Sequence, residues 1–315
     1  MVSHSNVLLT GATGFLGSAL LGHLSKPILV GRAEPKDLNG QFFSREMATD
    51  TDFSGCVENV DVIIHCAARA HIMNDYTEDP LAEYREVNVA GTLKLARQAA
   101  AAGVKRFIFI SSIKVNGEST TGRLPFTELD ALAPLDPYGI SKMEAEIGLQ
   151  KIASETKMDV VIIRPPLVYG AGVKANFLNL LKLASKGLML PFGSVHNRRS
   201  MIYLENLVDF ILRCIDHPAA ANQIFLISDG EDVSLMYLLK SMGTSFKNRL
   251  YLLSVPVILF KVAGVLLGKR NLVDRLVGDL QVDSGKAMAL LNWKPPYTLD
   301  EGISITVNVF LKGGK

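Results

Sequence analysis

The chain has 315 residues, and 48% of them are hydrophobic, which suits one large α/β domain or two modest ones with a buried core. Its 33 basic and 31 acidic side chains nearly cancel, which excludes a protein held on nucleic acid or on an anionic membrane surface by its net charge, so any basic site must be local. The three cysteines lie far apart and form no CxxC pair, so neither a disulfide framework nor a metal site is expected.

The N-terminus passes within six residues into a strand and glycine pattern. It lacks the basic region, apolar stretch and small-residue cleavage site of a signal peptide. Cys66 lies in an apolar run where a small buried thiol fits. Together these features predict a reducing, cytoplasmic location.

The first predicted strand, Val7–Thr10, runs directly into a glycine-rich loop and then into a helical segment at 18–24. Gly11 permits a tight turn, Gly14 lets a pyrophosphate approach the backbone, and Gly17 allows close packing of helix on strand. The helix N-terminus adds N–H donors and the positive end of its dipole. The pattern predicts a dinucleotide-binding βαβ unit whose loop residues contact the cofactor: Gly11, Thr13, Gly14, Phe15, Leu16 and Gly17.

The end of the second predicted strand, 28–30, decides which dinucleotide fits. A carboxylate there accepts hydrogen bonds from the adenosine ribose, whereas an arginine pairs with a 2′-phosphate. Gly31 occupies the acidic position and Arg32 follows it, so NADP(H) is the favoured cofactor. Glu34 is close enough to keep NAD(H) as the alternative, with Arg32 then a solvated surface residue.

Further strands are predicted at 60–65, 107–111 and 160–164. They are apolar throughout, as expected for parallel strands covered by helices on both faces. Helical spacing at 80–102 and 136–154 fills the connections between them. The predicted fold class is therefore α/β, a Rossmann doubly wound parallel sheet.

The domain organisation follows from where this alternation stops. A dinucleotide-binding domain is expected over 1–165, and a later strand near 223–228 is expected to return to it. The remainder, 166–315, is expected to form mainly a smaller lobe that ends in a helix from about Leu299. Such a lobe would cap the carboxyl ends of the strands, where open α/β sheets bind ligands.

A catalytic group is predicted from two residues on one helix and one at a strand end. Tyr138 and Lys142 are four residues apart, so their side chains share a helix face. A neighbouring ammonium stabilises a phenolate and lowers the tyrosine pKa toward the working range. Ser112 follows a predicted strand, where its hydroxyl can bond a substrate oxygen beside the tyrosine.

The stretch 251–267 is almost wholly apolar and is followed by Gly268, Lys269 and Arg270. It is shorter than the roughly 20 residues needed to span a bilayer, and Pro256 and Lys261 interrupt it. A buried helix, or one at a protein interface, is the favoured interpretation. Attachment to a membrane surface without crossing it is the alternative.

Six motifs resemble those of the extended short-chain dehydrogenase/reductases, in the NAD-dependent epimerase/dehydratase family of nucleotide-sugar enzymes. The resemblance covers nearly the whole length of the chain. Its motifs are TGATGFLG at 10–17, HCAA at 65–68, VNVAGT at 87–92, SSIKVNGE at 111–118, DPYGISK at 136–142 and RPPLVYG at 164–170. The resemblance implies that Ser112 binds the substrate oxygen, that Tyr138 is the acid/base, and that Lys142 lowers the tyrosine pKa and holds the nicotinamide ribose. It also implies cofactor contacts by Asp50, Thr51, Ala67, Ala68, Asn88, Pro165 and Pro166.

The same resemblance implies a nucleotide-sugar substrate, usually UDP-linked, gripped by the second lobe. Asn176, Arg199 and Arg275 match positions that bind the diphosphate, and guanidinium groups suit this because they bind phosphate bidentately. Leu190, in the segment Leu190-Pro191-Phe192-Gly193, matches the position that holds the base. If the chain self-associates, the family's habit implies a homodimer through two helices.

The activities of this group share a transient ketone at C4 of the sugar. Ile113-Lys114 stand where the family's dehydratases carry an Asp-Glu pair, which disfavours dehydration. Arg32 favours the phosphorylated cofactor, and the segments SSIKVNGE, NFL and NRRS resemble the bacterial branch that reduces UDP-4-keto-6-deoxy-N-acetylhexosamines for surface polysaccharide. An NADPH-dependent reductase of this kind is therefore favoured. The alternatives are a UDP-sugar 4-epimerase with tightly bound NAD and a non-catalytic dinucleotide-sensing protein, although the intact Ser112, Tyr138 and Lys142 argue against the latter.

Overall fold

A computed structural model describes residues 6–36, 40–70 and 77–313. The described strands are β1 Val7–Thr10, β2 Ile28–Gly31, β3 Gln41–Ser44, β4 Val62–His65, β5 Arg106–Ile110, β6 Asp159–Arg164, β7 Leu167–Tyr169, β8 Met189–Leu190, β9 Arg199–Tyr203, β10 Ile224–Leu226, β11 Asp232–Val233 and β12 Tyr251–Leu252. The α-helices are α1 Phe15–Leu21, α2 Pro80–Arg85, α3 Thr92–Ala101, α4 Pro137–Glu155, α5 Ala175–Ser185, α6 Leu204–Asp216, α7 Leu235–Ser245, α8 Val257–Leu266, α9 Arg270–Val277, α10 Gly285–Leu291 and α11 Leu299–Gly313. A π-helix, Glu86–Gly91, joins α2 to α3, and short 3-10 helices lie at Ser54–Cys56, Ile113–Val115 and Pro218–Ala220.

Seven described strands form one parallel sheet in the order β10-β6-β5-β4-β1-β2-β3. Its side chains are buried on both faces. Leu9 and Ile64 belong to the core on one face, and their neighbours Leu8 and Ile63 belong to the core on the other. The predicted α/β class and doubly wound parallel sheet are confirmed, and the carboxyl ends of these strands meet at one edge.

Two elements of the sheet region differ from the sequence expectation. β3 was not predicted, because the strand is only four residues long, Gln41–Ser44, and these residues are exposed or half-buried at the edge of the sheet. The continuous helix expected over 80–102 is divided by the π-helix, in which Asn88 is buried. Single π-helical turns inside helices are frequent at functional sites, because they redirect one side chain.

The second half of the chain adds two small sheets, β11-β9-β7 and β12-β8, and a third hydrophobic core. β10, at Ile224–Leu226, joins the large sheet beside β6. Among the described residues, no helix combines the length and apolar character that crossing a membrane requires. Of the expected buried or interface helix within 251–267, burial is not found in α8: of its residues, all of which the structure describes, Gly264 alone is buried.

Candidate active site

The glycine loop turns back on itself and against the segment that follows β4. Gly11 has a φ of +72°, and a Cβ added there would lie 2.7 Å from the Ala67 nitrogen. A Cβ on Gly17 would lie 2.1 Å from the Gly11 oxygen. Side chains are therefore excluded at both glycines, while Thr13 and Gly14 between them are exposed.

A buried histidine holds three elements together behind this loop. Thr10 Oγ1 accepts a hydrogen bond from the Ala67 amide at 3.1 Å and lies 2.8 Å from His65 Nδ1. His65 Nε2 lies 2.9 Å from Thr92 Oγ1. Because the Thr10 hydroxyl is left to donate to Nδ1, this network assigns the proton of the imidazole to Nε2. Burial, assisted by Lys142, lowers the pKa of His65 to about 3.

We expect His65 to make the protein sensitive to mild acid. The unfolded chain binds a proton on this histidine below about pH 6.5 and the folded chain does not, so stability falls as the pH falls. At pH 5 this costs about 2 kcal/mol of unfolding free energy, measurable by urea unfolding at pH 7 and pH 5. His65→Gln should lose that part of the pH dependence, and an unchanged difference between the two pH values would contradict this role.

The predicted catalytic residues gather where β5 and α4 meet. Ser112 stands just beyond β5 and caps the 3-10 helix Ile113–Val115. Tyr138 lies in the first turn of α4, whose N-terminus is capped by Asp136 through the Gly139 amide at 2.7 Å. Lys142, one turn further on, is buried and places Nζ 6.0 Å from the centre of the Tyr138 ring.

The electrostatics of Tyr138 differ from the expectation. Lys142 Nζ donates to the Ile110 carbonyl at 2.7 Å, so its ammonium is held at the end of β5. Burial lowers the pKa of Lys142 to about 8. Burial also raises the pKa of Tyr138, and Asp136 and Tyr84 raise it further. In this arrangement Tyr138 is a protonated phenol, which is the form that a general acid requires.

Sequence analysis missed a buried ion pair beneath these residues. Glu146, one turn beyond Lys142 on α4, accepts from Arg164 Nη2 at 2.5 Å and from Arg164 Nε at 3.0 Å. Ser111 donates to the same carboxylate, and Arg164 Nη1 donates to Asn116 Oδ1 at 3.0 Å. The network fixes α4 against the ends of β5 and β6. Its sequence signal is the spacing of four residues between Lys142 and Glu146.

Glu146→Gln should lower the free energy of unfolding by about 3 kcal/mol, because it leaves the buried Arg164 guanidinium uncompensated. Glu144→Gln is the matched control, since Glu144 lies on the same helix and pairs with the half-exposed Arg85. Surface pairs contribute little, so this control should unfold nearly as the parent does. Urea unfolding measures both, and equal losses would contradict the structural role of the buried pair.

Asn88 ties the segment after β4 to α4. Its Oδ1 accepts from the Arg69 amide at 2.8 Å, and its Nδ2 donates to Ser141 Oγ at 3.0 Å. Ser141 Oγ in turn donates to the Tyr138 carbonyl at 2.8 Å. Asn88 thus lies behind Tyr138, where its side chain supports the backbone of the first turn of α4.

The other predicted cofactor residues follow the carboxyl ends of strands in the large sheet. Ala67 and Ala68 follow β4, and the buried Pro165 and Pro166 follow β6. Arg32 is exposed directly after β2, and beyond β3 Asp50 is exposed and Thr51 half-buried. The parallel topology therefore brings these positions to the edge that also carries the glycine loop and Ser112.

The two predicted phosphate-binding arginines are neighbours in the second half of the chain. Arg199 Nη1 donates to the Arg275 carbonyl at 2.9 Å and to the Gly278 carbonyl at 3.3 Å. Arg275 binds Glu118 bidentately, with Nη2 at 3.0 Å from each carboxylate oxygen. A cleft of about 530 Å³ opens alongside, lined by Thr120, Gly122, Arg123, Leu124, His196, Arg198, Asp279 and Gln281.

The remaining two substrate positions differ in exposure. Asn176 is exposed in the first turn of α5. Leu190 is buried in the third core, and its carbonyl accepts from the Leu253 amide at 2.8 Å. The Leu190 side chain is therefore core packing, and any contact of this segment with a base would come from its neighbours or its backbone.

Charged side chains connect the arginine pair to the start of α4, which sequence analysis also missed. Lys114 Nζ lies 3.4 Å from Glu118, the partner of Arg275, and forms an ion pair with Asp136. Lys114 stands where the family's dehydratases carry an acidic residue. The chain of ion pairs runs from Arg275 through Glu118 and Lys114 to the residue that caps the helix of Tyr138.

Comparison with known proteins identifies the family. The model of the NAD dependent epimerase/dehydratase family matches residues 7–228. UDP-glucose 4-epimerase of Vibrio cholerae is 49% identical, over 98% of this chain and 96% of that protein. The chain belongs to this family. It is an NAD(P)-dependent enzyme of the extended short-chain dehydrogenase/reductase type, in the group that acts on nucleotide sugars.

Two further comparisons concern a relative in sequence and a neighbour in structure. dTDP-4-dehydro-6-deoxyglucose reductase of Escherichia coli is 24% identical, over 95% of each chain. The Bordetella bronchiseptica enzyme WbmG, solved in complex with NAD and UDP, superposes with a TM-score of 0.75 at 19% identity, over 99% of this chain and 96% of that one. The structural likeness extends over both halves and supports the fold.

The residues present fit a dinucleotide. The backbone of Gly11 closes on Ala67, and a Cβ at Gly14 would lie 3.1 Å from the Gly11 oxygen, so at these two glycines the loop presents main chain alone. Gly14 is the N-cap of α1 and offers no side-chain cap to its amides. A pyrophosphate is the kind of group that such uncapped amides accept.

Proposed function

We propose that this protein is an NADPH-dependent reductase that acts on the C4 ketone of a UDP-linked 4-keto-6-deoxy-hexosamine in surface polysaccharide synthesis. The observation that carries the proposal is the carboxyl end of β2. A Cβ added at Gly31 would meet nothing within 4 Å, and Arg32 beside it is exposed. This position therefore offers space and a guanidinium, which suit a 2′-phosphate.

The second support is the state of Tyr138. Reduction needs a proton for the carbonyl oxygen, and the raised pKa of Tyr138 keeps that proton available at neutral pH. Oxidation of a sugar hydroxyl, the first half of an epimerisation, would instead need the phenolate. The protonated Tyr138 is thus in the form that the reductive direction uses.

In the proposed mechanism, the bound cofactor supplies a hydride to C4 of the sugar. Tyr138 donates its phenolic proton to the carbonyl oxygen, which becomes the C4 hydroxyl. Ser112 orients that oxygen by a hydrogen bond, and Lys142 holds the nicotinamide ribose. Hydride addition to carbon and proton transfer to oxygen together complete the reduction.

We assign the diphosphate of the substrate to Arg199 and Arg275, with Asn176 as a further contact. Arg275 must exchange its bidentate pairing with Glu118 for phosphate oxygens, and Glu118 keeps Lys114 as a partner when it does so. The division proposed from sequence, 1–165 for the dinucleotide and mainly 166–315 for the substrate, agrees with this assignment. Ser112 and Tyr138 would then meet the sugar between them.

A UDP-sugar 4-epimerase with tightly held NAD is the second candidate. Its specific support is the 49% identity to a protein named as a UDP-glucose 4-epimerase. The complex of WbmG with NAD adds that a structural neighbour takes the unphosphorylated cofactor. The same Ser112, Tyr138 and Lys142 would serve either reaction, so the products must decide.

Purified protein should be incubated with NADPH and a UDP-4-keto-6-deoxy-N-acetylhexosamine, and separately with UDP-glucose or UDP-N-acetylglucosamine alone. We expect stoichiometric oxidation of NADPH and a new C4 hydroxyl in the first mixture, identified by NMR. The second mixture should remain unchanged. Conversion of a UDP-sugar to its C4 epimer without added cofactor would overturn the reductase proposal in favour of the epimerase. No reaction in either mixture would overturn both proposals.

A further inference from the structure

Helix α8 exposes apolar side chains around most of its circumference. Leu266, Ile258 and Val265 are 80%, 62% and 61% exposed. Val257, Phe260 and Gly264 face the protein, and at roughly 100° per residue these three fall within an arc of about 60°. Only a narrow stripe of the helix therefore packs against the rest of the protein. The other side chains form an apolar face that is unusually large for a solvent-exposed surface.

The helix is nevertheless firmly seated. Phe260 stacks on Phe192 with ring centres 5.6 Å apart. A Cβ on Gly264 would lie 2.7 Å from Val273 Cγ2, so α8 and α9 pack closely at this glycine. The exposed side chains therefore belong to a formed helix with a defined orientation.

The apolar face continues onto the strand pair at the base of the helix. β12 pairs with β8, and exposed side chains stand on and beside this pair at Leu188, Met189, Tyr251 and Leu253. Phe192 pairs with Ser254 just before α8 begins. We call the exposed side chains of α8 together with these four the apolar platform. Tyr251 suits the edge of such a surface, because tyrosine combines an apolar ring with a polar end.

The two chain segments that carry the platform are basic in sequence, although Arg164 in the second of them is paired with Glu146. Residues 233–273, which include β12 and α8, contain six Lys or Arg and no Asp or Glu. Residues 160–204, which include β8, likewise contain six Lys or Arg and no Asp or Glu. The chain as a whole has a net charge of only +2, so these segments concentrate positive charge locally. Arg270 has an acidic neighbour in α9, with Nε 3.6 Å from Asp274.

The apolar platform and the basic segments that carry it together indicate what kind of partner docks there. A second copy of the chain docking through the same face in a two-fold dimer would bring the same cations together, which electrostatics disfavours. An apolar helix face carried on segments rich in Lys and Arg, with Asp274 beside Arg270, matches the interface of a bilayer that contains anionic phospholipids. We propose that α8 docks this protein on an anionic phospholipid bilayer, with the helix lying in the headgroup region and no segment crossing.

Docking by this face would position the substrate side of the protein at the membrane. α8 leads directly into α9, which carries Arg275, and it packs on Phe192 in the segment predicted to hold the base. The inference rests on the surface alone and does not depend on the proposed reaction.

Flotation with vesicles tests the proposal. The full chain is mixed with vesicles of phosphatidylcholine and phosphatidylglycerol at 3:1, and with vesicles of phosphatidylcholine alone. We expect at least tenfold more protein to float with the anionic vesicles, and a several-fold loss at 0.5 M NaCl because salt screens the cations. The triple variant I258Q/V262Q/L266Q should lose binding at least tenfold.

The control is V309Q/L311Q, which makes the same kind of change at exposed positions of α11 and should float as the parent does. Circular dichroism and NADPH oxidation should be unchanged in the triple variant, so lost flotation is separable from lost folding or activity. Failure of the parent to float, or equal flotation of parent and triple variant, would overturn the proposal. A dimer in solution that the triple variant converts to a monomer, without flotation, would assign the platform to a second copy instead and also overturn it.

Discussion

Replacing Tyr138 by phenylalanine is expected to lower kcat for reduction of the keto sugar by about a thousandfold, because a positioned general acid contributes roughly 10² to 10⁴ in rate. The ring remains, so its edge contact with Tyr84, at 6.2 Å between centroids, is kept. The hydroxyl alone is lost, and with it the proton for the C4 oxygen. Steady-state oxidation of NADPH measures the effect.

Two readouts separate this chemistry from a structural effect. The Kd for NADPH should change by less than about threefold in Tyr138→Phe, because the glycine loop and Arg32 are untouched. Tyr84→Phe, which removes a hydroxyl from the other ring of the same pair, should keep most of the activity. Full activity in Tyr138→Phe would exclude Tyr138 as the proton donor.

The direction of the Tyr138 pKa was not accessible from sequence. The four-residue spacing predicts that Lys142 shares a helix face with the tyrosine, and the structure confirms this proximity at 6.0 Å from the ring centre. The spacing does not predict that the ammonium is engaged by the Ile110 carbonyl, 32 positions earlier in the chain. Burial of the phenol then dominates, and its pKa rises where sequence reasoning expected it to fall.

Local geometry was predictable and long-range pairing was not. Gly11 and Gly17 could be assigned because their role is set by the turn that they form and by the strand and helix around them. The partners of Arg275 and Arg164 lie 157 and 18 positions away, at Glu118 and Glu146, and nothing in residue type or spacing along the chain marks the first of these. The first pair follows from how the two halves fold together, and the second from how α4 packs on β6.

The apolar stretch at 251–267 marks another limit of sequence. Its hydrophobicity predicts a helix, and α8 is found there. Whether a hydrophobic helix is covered depends on the neighbours that the fold provides, and here these are one stripe of α9 and Phe192. The sequence alone allowed a buried helix, a helix at a protein interface or a helix at a membrane surface. The exposed side chains of α8 exclude the first of these.

Gly31→Asp should reverse the coenzyme preference, with the ratio of kcat/KM for NADPH to that for NADH falling by about a hundredfold. A carboxylate at this position repels a 2′-phosphate and accepts hydrogen bonds from the ribose hydroxyls of NADH. The lost attraction to the 2′-phosphate and the gained hydrogen bonds to the ribose together amount to about 3 kcal/mol. This corresponds to about a hundredfold, at 1.36 kcal/mol for each tenfold change. The substitution is sterically free, because a Cβ at Gly31 meets nothing within 4 Å and the φ of this residue is not positive.

Gly55→Asp provides the matched control, since this exposed glycine, like Gly31, has no positive φ and has nothing within 4 Å of an added Cβ. It introduces the same charge and side chain in the 3-10 helix Ser54–Cys56, outside β2. The control should leave the ratio unchanged, so a fall confined to Gly31→Asp locates the adenosine ribose at β2. If the parent already prefers NADH and Gly31→Asp leaves the ratio unaltered, Arg32 does not read a 2′-phosphate. The reductase would then lose its main structural support, and an epimerase with tightly held NAD would be favoured.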